Sequence, residues 1–552
     1  MDTFFTALDT INGIMLSPQM LVALLGVGVL FTLWSGFGQF RSLTHGVQLL
    51  RGKASTCGQG AGALTHFQAL SAALSGTVGL GNIAGVAIAV AFGGPGAVFW
   101  MWMVGLVGMA LKATEVTLAL LYRDVSDPDD PHGGTMWVCR RGLADLSPKL
   151  AKFGAVLGTV FAAFMLLFAV TGGNMFQAWA VADTTHAYFG VPQWLSGLVL
   201  AMLTGAVILG GVRRLGQVAG LLVPVMCGVY VLCGLYVLWV NADLLPGVLR
   251  LIFTSAFAPA EAGGAFTGAV MGTAFIWGMK RALFSSEAGL GTAPMAHSAV
   301  KTPEPVTEGV VAGLEPFIDT LVVCTVTALV ILSSGVWNRG PTAAWYAQPA
   351  LVESAPGQWQ PGTNLLPEAD GAFRTGDEVF VVVATGPAAR ARIYGSVVAH
   401  DGGQSVAWRP LAAGRAPVLA ENGIFTDYRG STLAAKAFDS AQAGLGQWMV
   451  TVTIWLFALS TMITYGYYGE QGLVYLGGAR HVHAFRWLWC IIGFATCLGF
   501  VRTAEEIDTI STVAMGFMYA INLPLMVVLG GKAMGAWHDY FRRRRLGQLR
   551  HQ

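Results

Sequence analysis

Between Phe67 and Phe92 the chain is apolar for long enough to cross a bilayer, yet glycine interrupts its middle. Ala73–Gly85 reads A-L-S-G-T-V-G-L-G-N-I-A-G, with Gly76, Gly79 and Gly81 where a plain span would place Leu, Ile or Val. Each glycine costs a helix about 0.8–1 kcal/mol relative to alanine, so this clustering predicts a local unwinding. Unwound backbone at membrane depth is tolerated only where it is buried in protein or lines an aqueous cavity. There it offers carbonyls to a cation and amides to a carboxylate, which makes the stretch a candidate transport site. Two plainer readings compete. Gly81 and Gly85 form a G-x-x-x-G pair, a pattern that also serves close helix packing alone. Gly79, Gly81 and Ala84 spell G-x-G-x-x-A, but an apolar span precedes them instead of a strand, and the first acid downstream is Glu115. That context excludes a dinucleotide site.

Composition agrees with a membrane protein. Charged residues are 11% of the 552, against about a quarter in soluble domains, and 54% are hydrophobic. The net charge of +2 points to neither a nucleic acid nor an acidic partner. The seven cysteines lie in or beside apolar segments or loops, with no disulfide framework or zinc spacing. The N-terminus lacks the basic region and cleavage site of a signal peptide.

Windows of about twenty apolar residues give eleven candidate spans. They are Met20–Phe40, Phe67–Phe92, Ala97–Tyr122, Phe153–Ala180, Trp194–Leu209, Val218–Val240, Gly263–Pro294, Val310–Trp337, Trp448–Leu476, Ala484–Val501 and Ile510–Gly530. Lys and Arg collect after the odd-numbered spans: Arg41, Arg51 and Lys53, then Arg140, Arg141, Lys149 and Lys152, then Arg213 and Arg214, Lys301, Arg480 and Arg486, and finally Lys532 with Arg542–Arg545. The positive-inside rule therefore puts the N-terminus outside and the C-terminus in the cytoplasm. Without the first span, ten remain as five plus five. The second span is broken by the glycines above; the seventh, first of the second five and oppositely oriented, carries a breaker near Trp277-Gly278. Interrupted helices at matching places in inverted halves point to an inverted-repeat transporter. The fold expected is an all-α polytopic membrane protein of the 5+5 broken-helix type with one extra N-terminal helix.

Residues 337–445 span nothing. Glu378–Thr385 and Arg392–His400 read as short strands between Gly/Asp turn signals, so a small, β-rich extracytoplasmic insert divides helices 1–8 (residues 1–336) from helices 9–11 and the basic tail (446–552).

Ser460 and Thr461, adjacent in the ninth span, suit a hard monovalent cation, although such hydroxyls commonly bond back to a carbonyl one turn earlier. Asn174, Gln177, Glu287 and Glu470 are polar groups at or near membrane depth, where they usually face a cavity or a partner. Lys280, Arg281 and Glu287 could pair with one another. His66 reads as interfacial, and His481 with His483 lacks a third metal ligand.

Five segments together resemble the alanine or glycine:cation symporters, sodium-coupled amino-acid carriers of bacteria and archaea. They are Leu74–Gly85, Gly93–Trp102 (G-G-P-G-A-V-F-W-M-W), Gly173–Gln177 (G-N-M-F-Q), Arg281–Pro294 (R-A-L-F-S-S-E-A-G-L-G-T-A-P) and Tyr467–Glu470 (Y-Y-G-E). The resemblance implies a sodium site at Ser75, Val78, Phe457, Ser460 and Thr461. It implies a substrate site at Thr77, Gly79, Leu80, Gly81, Asn82, Gln177, Ile276, Trp277, Gly278 and Tyr465. The chain departs from the family's usual residues at Trp179 (Asn), Ser286 (Asn) and Tyr465-Gly466 (Trp-Ser), and its outer insert is longer.

The expected function is sodium-coupled import of a small neutral amino acid, alanine or glycine, by alternating access across a bacterial cytoplasmic (inner) membrane. The partners are then the substrate, the co-transported sodium ion and the lipid bilayer, without nucleic acid; oligomeric state is not legible. Proton coupling or a broader solute range is the alternative in the same class, and a sensor using the outer insert the alternative outside it. An enzyme would need a His/Asp/Glu cluster, which the ten histidines do not form in sequence.

Overall fold

The computed structural model describes residues 8, 10–13, 17–52, 60–257, 273–367, 373–386, 390–400, 403–428, 430–500 and 504–550. Helix occupies each of the eleven expected places. Seven helices among the described residues are long and apolar enough to cross a membrane by themselves: Gly96–Tyr122 (third span), Pro148–Phe189 (fourth), Gly211–Val240 (sixth), Pro305–Ser333 (eighth), Leu445–Gly477 (ninth), Ala479–Gly499 (tenth) and Ile507–Arg545 (eleventh). Two more are bent pairs. Pro18–Trp34 turns by 66° into Gly38–Leu50, and His66–Thr77 turns by 54° into Gly81–Gly93. The fifth, Gln193–Ile208, is a shorter apolar helix. The seventh is Thr273–Ser286 followed by Ala293–Ser298; the expected stretch 263–272 lies outside the described residues.

The third span sits at the centre. In it 89% of the apolar window is buried by protein, against 33% in the sixth and tenth, which therefore turn most of their surface to lipid. Lipid is as apolar as leucine, so what draws these helices together is close packing and hydrogen bonding rather than burial from water.

The second span begins with a capping box. Thr65 Oγ1 accepts from the Gln68 amide at 3.2 Å and Gln68 Oε1 accepts from the Thr65 amide at 3.0 Å. The helix stops where the glycines predict: Val78 turns extended (φ −76°, ψ 97°), and the chain resumes helical form at Gly81.

The seventh span breaks elsewhere than expected. Trp277 and Gly278 lie inside an uninterrupted helix. Gly278 is there because a Cβ at that position would collide with the Ala97 carbonyl and press on Trp100, so it serves helix packing. The unwinding comes nine residues later, at Glu287–Thr292, where Glu287 (φ 50°), Gly289 (φ 83°) and Gly291 (φ 95°) are all left-handed. For a non-glycine residue that conformation costs roughly 1–2 kcal/mol, a strain typical of functional backbone.

Outside the helices, residues 351–426 form two antiparallel sheets. One joins β1 (Leu351–Ala355), β2 (Gln358–Pro361) and β6 (Leu411–Ala412). The other orders β5 (Gly403–Trp408), β4 (Arg390–His400), β3 (Glu378–Ala384) and β7 (Val418–Leu419), with β8 (Phe425–Thr426) also on β3. Both strands read from sequence are present, as β3 and β4. Val379, Val381, Val383, Ile393 and Val397 build a core of the insert's own. Arg392 reaches out of it: its guanidinium donates to the Ala91 carbonyl at 3.0 Å and stacks over Phe92. The insert thereby holds the C-terminal end of the second span.

Candidate substrate and cation site at two broken helices

At the first break, the second and ninth spans exchange hydrogen bonds through oxygen. Ser75 Oγ donates to the Ser460 carbonyl at 2.7 Å. The hydroxyls of Ser460 and Thr461 both converge on the Ser75 carbonyl, at 3.3 and 3.2 Å. Ser460 also bonds back to the Phe457 carbonyl at 2.9 Å, so the commonplace role of such a serine is present together with the bridging one. Ser75, Val78, Phe457, Ser460 and Thr461 are all at most 3% exposed. These are neutral oxygens, the donor type that suits a hard monovalent cation.

Around the same break, Asn82 Oδ1 accepts from the Gly79 amide at 2.9 Å and so takes one of the amides expected to face a carboxylate. Leu80 and Gly81 remain at the N-terminus of the outer half-helix, the positive end of its dipole. Leu80 packs on Ala178, Val181 and Ala182 of the fourth span. Thr77 is buried and its hydroxyl is directed to the carbonyls of Ala73 and Leu74. Gln177 donates to the Gly172 carbonyl at 3.2 Å, and its Oε1 is buried without a hydrogen-bond partner among the described residues. Asn174 instead ties the fourth span to the Trp489 carbonyl at 2.8 Å.

The seventh-span residues split. Trp277 stacks on Phe92 with ring centres 4.9 Å apart, Gly278 meets Ala97 and Trp100, and Ile276 packs on the core. Phe92 lies twelve residues past Leu80, about 18 Å along a helix, so the structure does not bring Trp277 to the first break. Ser285 and Arg281 come there instead. Ser285 Oγ accepts from Asn82 Nδ2 at 3.1 Å and donates to Asp319 Oδ2 at 2.6 Å; Asp319 Oδ1 also accepts from Asn82, at 2.5 Å. The Arg281 guanidinium fills the space over Gly81 and Gly85, where any Cβ would collide with it. That G-x-x-x-G pair therefore cradles an arginine rather than a helix. Two of the guanidinium nitrogens, Nε and one terminal nitrogen, are buried without partners among the described residues.

At the second break, Glu287 does not pair with Arg281 or Lys280. Its carboxylate accepts from the Tyr465 hydroxyl and, at 2.6 Å, from Thr292 Oγ1. Tyr465 is fully enclosed, edge-on to Phe168 and Tyr468 and seated against Gly173. Its hydroxyl thus spans the ninth helix to the break of the seventh. Glu470 forms a two-bond pair with Arg486, at 2.7 and 2.9 Å, and serves the joint between the ninth and tenth spans.

His66, at the start of the second span, is 5% exposed and bonds Glu308 of the eighth span. Sequence reasoning also passed over Lys112, Glu115, Glu308, Glu315 and Asp319, each 0–2% exposed. The signal was available for Lys112, Glu115, Glu315 and Asp319, because an ionisable residue inside an apolar span marks a functional or partnered position by default.

The sequence model of the sodium:alanine symporter family matches residues 1–364 and 416–552, omitting only part of the insert. Sodium/alanine symporter AgcS of Methanococcus maripaludis is 33% identical over 528 residues, 96% of this chain and 95% of that one. A Bacillus subtilis protein named as a candidate sodium/proton-dependent alanine carrier, YrbD, is 33% identical over 540 residues, 98% of this chain and 93% of that one. Among solved structures, MhsT in complex with L-phenylalanine aligns over 89% of this chain and 96% of its own with a TM-score of 0.52 at 12% identity, a likeness of fold alone. With five-plus-five spans, two broken helices and this match over nearly its whole length, the chain belongs to the sodium:alanine symporter family.

Proposed function

We propose that the chain is a sodium-coupled symporter that imports a small neutral amino acid, alanine or glycine, through alternating access. The observation that carries the reading is the convergence of the Ser460 and Thr461 hydroxyls on the Ser75 carbonyl beside extended Val78. A sodium ion held there by Ser75, Val78, Phe457, Ser460 and Thr461 fixes the shape of the break. The amides of Leu80 and Gly81 then receive the substrate carboxylate, and Gln177 Oε1 is a free acceptor for the substrate ammonium. Each ligand raises the other's affinity by the same factor. The name of the Methanococcus relative and the family match support sodium and alanine as the pair. The basic loops support an outer N-terminus and a cytoplasmic tail. In proteoliposomes of the purified chain, an inward sodium gradient is expected to drive alanine uptake, with glycine competing and leucine not. Uptake that ignores sodium, or leucine competing as well as glycine, would overturn the reading.

A further inference from the structure

Two half-helices flank the breaks on the face assigned to the cytoplasm: His66–Thr77, which leads into the first break, and Ala293–Ser298, which follows the second. Each is joined to the rest of its own span by unwound chain, so helical continuity does not fix where either lies. What fixes them is backbone shared between the two. Leu64 and Val300 form a parallel bridge. The amides of Ala63 and Leu64 donate to the Ala299 carbonyl at 2.8 and 3.0 Å, and the Lys301 amide donates to the Leu64 carbonyl at 2.8 Å. The approach is so close that a Cβ on Gly62 (φ 146°) would stand 2.3 Å from the Val300 carbonyl carbon.

Arg123, directly after the third-span helix, closes this joint. Its Nη1 donates to the carbonyls of Ser298 at 2.9 Å and Val300 at 2.8 Å. Its Nη2 donates to those of Ala61 at 3.2 Å and Thr302 at 2.8 Å. One side chain thus holds the approach to the second span and the end of the seventh together. A guanidinium carries its donors in a planar fork that can serve separate acceptors at once, whereas an ammonium has three donors on a single point. Arg123 is itself held from behind, where its carbonyl accepts from Arg141 Nη1 at 2.7 Å. Glu308 of the eighth span adds a second bridge, with one carboxylate oxygen on His66 Nδ1 and the other on His297 Nδ1.

Toward the ninth span the hold is lighter. Ser75 Oγ donates to the Ser460 carbonyl, Thr461 Oγ1 to the Ser75 carbonyl, and Thr464 Oγ1 to the Ala72 carbonyl at 3.1 Å. Among the described residues no backbone–backbone hydrogen bond crosses that seam. We propose that Arg123 is a positioning residue for transport: it clasps the two half-helices into one gate, which parts from the ninth span and returns to it as a unit. Ser75 then leaves the Ser460 and Thr461 hydroxyls only when the seventh span moves as well, so release at the first break and movement at the second are a single step.

This inference rests on the symport reading and adds how its gate moves. The test joins the two segments covalently. Bridged strands lie about 4.7–4.9 Å apart, within the Cα separation a disulfide accepts, so Leu64→Cys with Val300→Cys can be oxidised in place. A Cys57→Ser background removes the thiol nearest in sequence, and peptide mass after digestion reports the bond. In proteoliposomes of the full chain, the oxidised pair is expected to carry sodium-driven alanine within about twofold of the reduced rate. Arg123→Gln is expected to lower the maximal rate by about tenfold or more with alanine KM within about twofold of wild type, because neither break is touched. Arg123→Lys should recover only part of that loss. Oxidising the cysteine pair in the Arg123→Gln chain should restore the rate, and reductant should remove the gain. An oxidised pair that stops uptake until reductant is added would mean that the half-helices part during the cycle, and would overturn the clasp. So would a folded Arg123→Gln chain that transports at full rate, or one whose rate the disulfide leaves low. Should Arg123→Gln fail to fold, the oxidised pair in the otherwise unchanged chain still decides. A wild type without sodium-driven uptake would overturn the symport reading, and this role of Arg123 with it.

Discussion

The two broken helices solve one problem with opposite chemistry. The first break, Val78–Leu80, meets the ninth span through neutral oxygen alone, the hydroxyls of Ser75, Ser460 and Thr461 and the carbonyls they reach, while its charged neighbours, Arg281 and Asp319, meet Gly81, Gly85 and Asn82. The second, Glu287–Thr292, contains a carboxylate and stands beside Lys112, Glu115 and Glu315. Such neutral oxygens suit a cation that comes and goes, because none of them carries a fixed charge. A charged break holds its own counter-charges within the protein. The difference teaches that symmetry of fold does not carry over to the charge each half keeps at its break.

Breaking the charged side should do the most damage. Lys112→Met leaves Glu315 and Glu115 buried without their cation, and removing one member of such a pair typically costs about 3–5 kcal/mol. The expected outcome is a large fall in melting temperature or folded yield by fluorescence-detected size exclusion; a stable variant would show that the charges are not mutually dependent. Tyr465→Phe is milder. It deprives Glu287 of a donor, a loss of about 1–3 kcal/mol for a buried group, and should slow transport. Tyr465→Trp should likewise slow transport, while narrowing competition to glycine and alanine. If only the substrate ranking changes, Tyr465 shapes the pocket and has no part in the second break.

The neutral side should respond in affinity rather than folding. Ser460→Ala with Thr461→Val removes both hydroxyls from the Ser75 carbonyl, at about 0.5–1.5 kcal/mol each. Half-saturating sodium should rise by about tenfold, measured as uptake against sodium concentration. An unchanged sodium curve would mean the hydroxyls only tie the helices together. Smallest of all is the insert. Replacing residues 340–425 with a short Gly/Ser loop removes the Arg392–Ala91 bond, worth about 1 kcal/mol, and sodium-driven uptake should persist at an altered rate. Complete loss in a folded, inserted protein would make the insert a working part of the outer mouth.

The sequence already shows much of this, and the exceptions have physical causes. The spans are legible because apolar length is a local property, and the first break because three glycines crowd it. β3 and β4 are legible from their valines and flanking turns. The second break was misplaced onto Gly278, since a lone glycine reads alike whether it unwinds a helix or lets Ala97 approach. Glu287–Gly291 held the better signal, two glycines beside an acid at membrane depth. Arg281 reads as a partner for Glu287, six residues on, because nothing local shows that Tyr465, 178 residues away, already holds that carboxylate. The His66–Glu308 contact joins residues 242 apart, and no local pattern in either stretch announces the other.

The hold of Arg392 on the second span also bears on how the protein is made. The two partners are 301 residues apart, so the outer end of the second span leaves the ribosome long before the residue that secures it. Domains tend to fold in order of synthesis, and distant contacts close late. That end of the second span is therefore secured only after the eighth span has been inserted and the insert has folded. Until then the second span stands in the bilayer without that bond to its Ala91 carbonyl, and the ninth span, which brings Ser460 and Thr461 to Ser75, is still to come. The first break and the far end of its helix are completed by the same late stretch of chain.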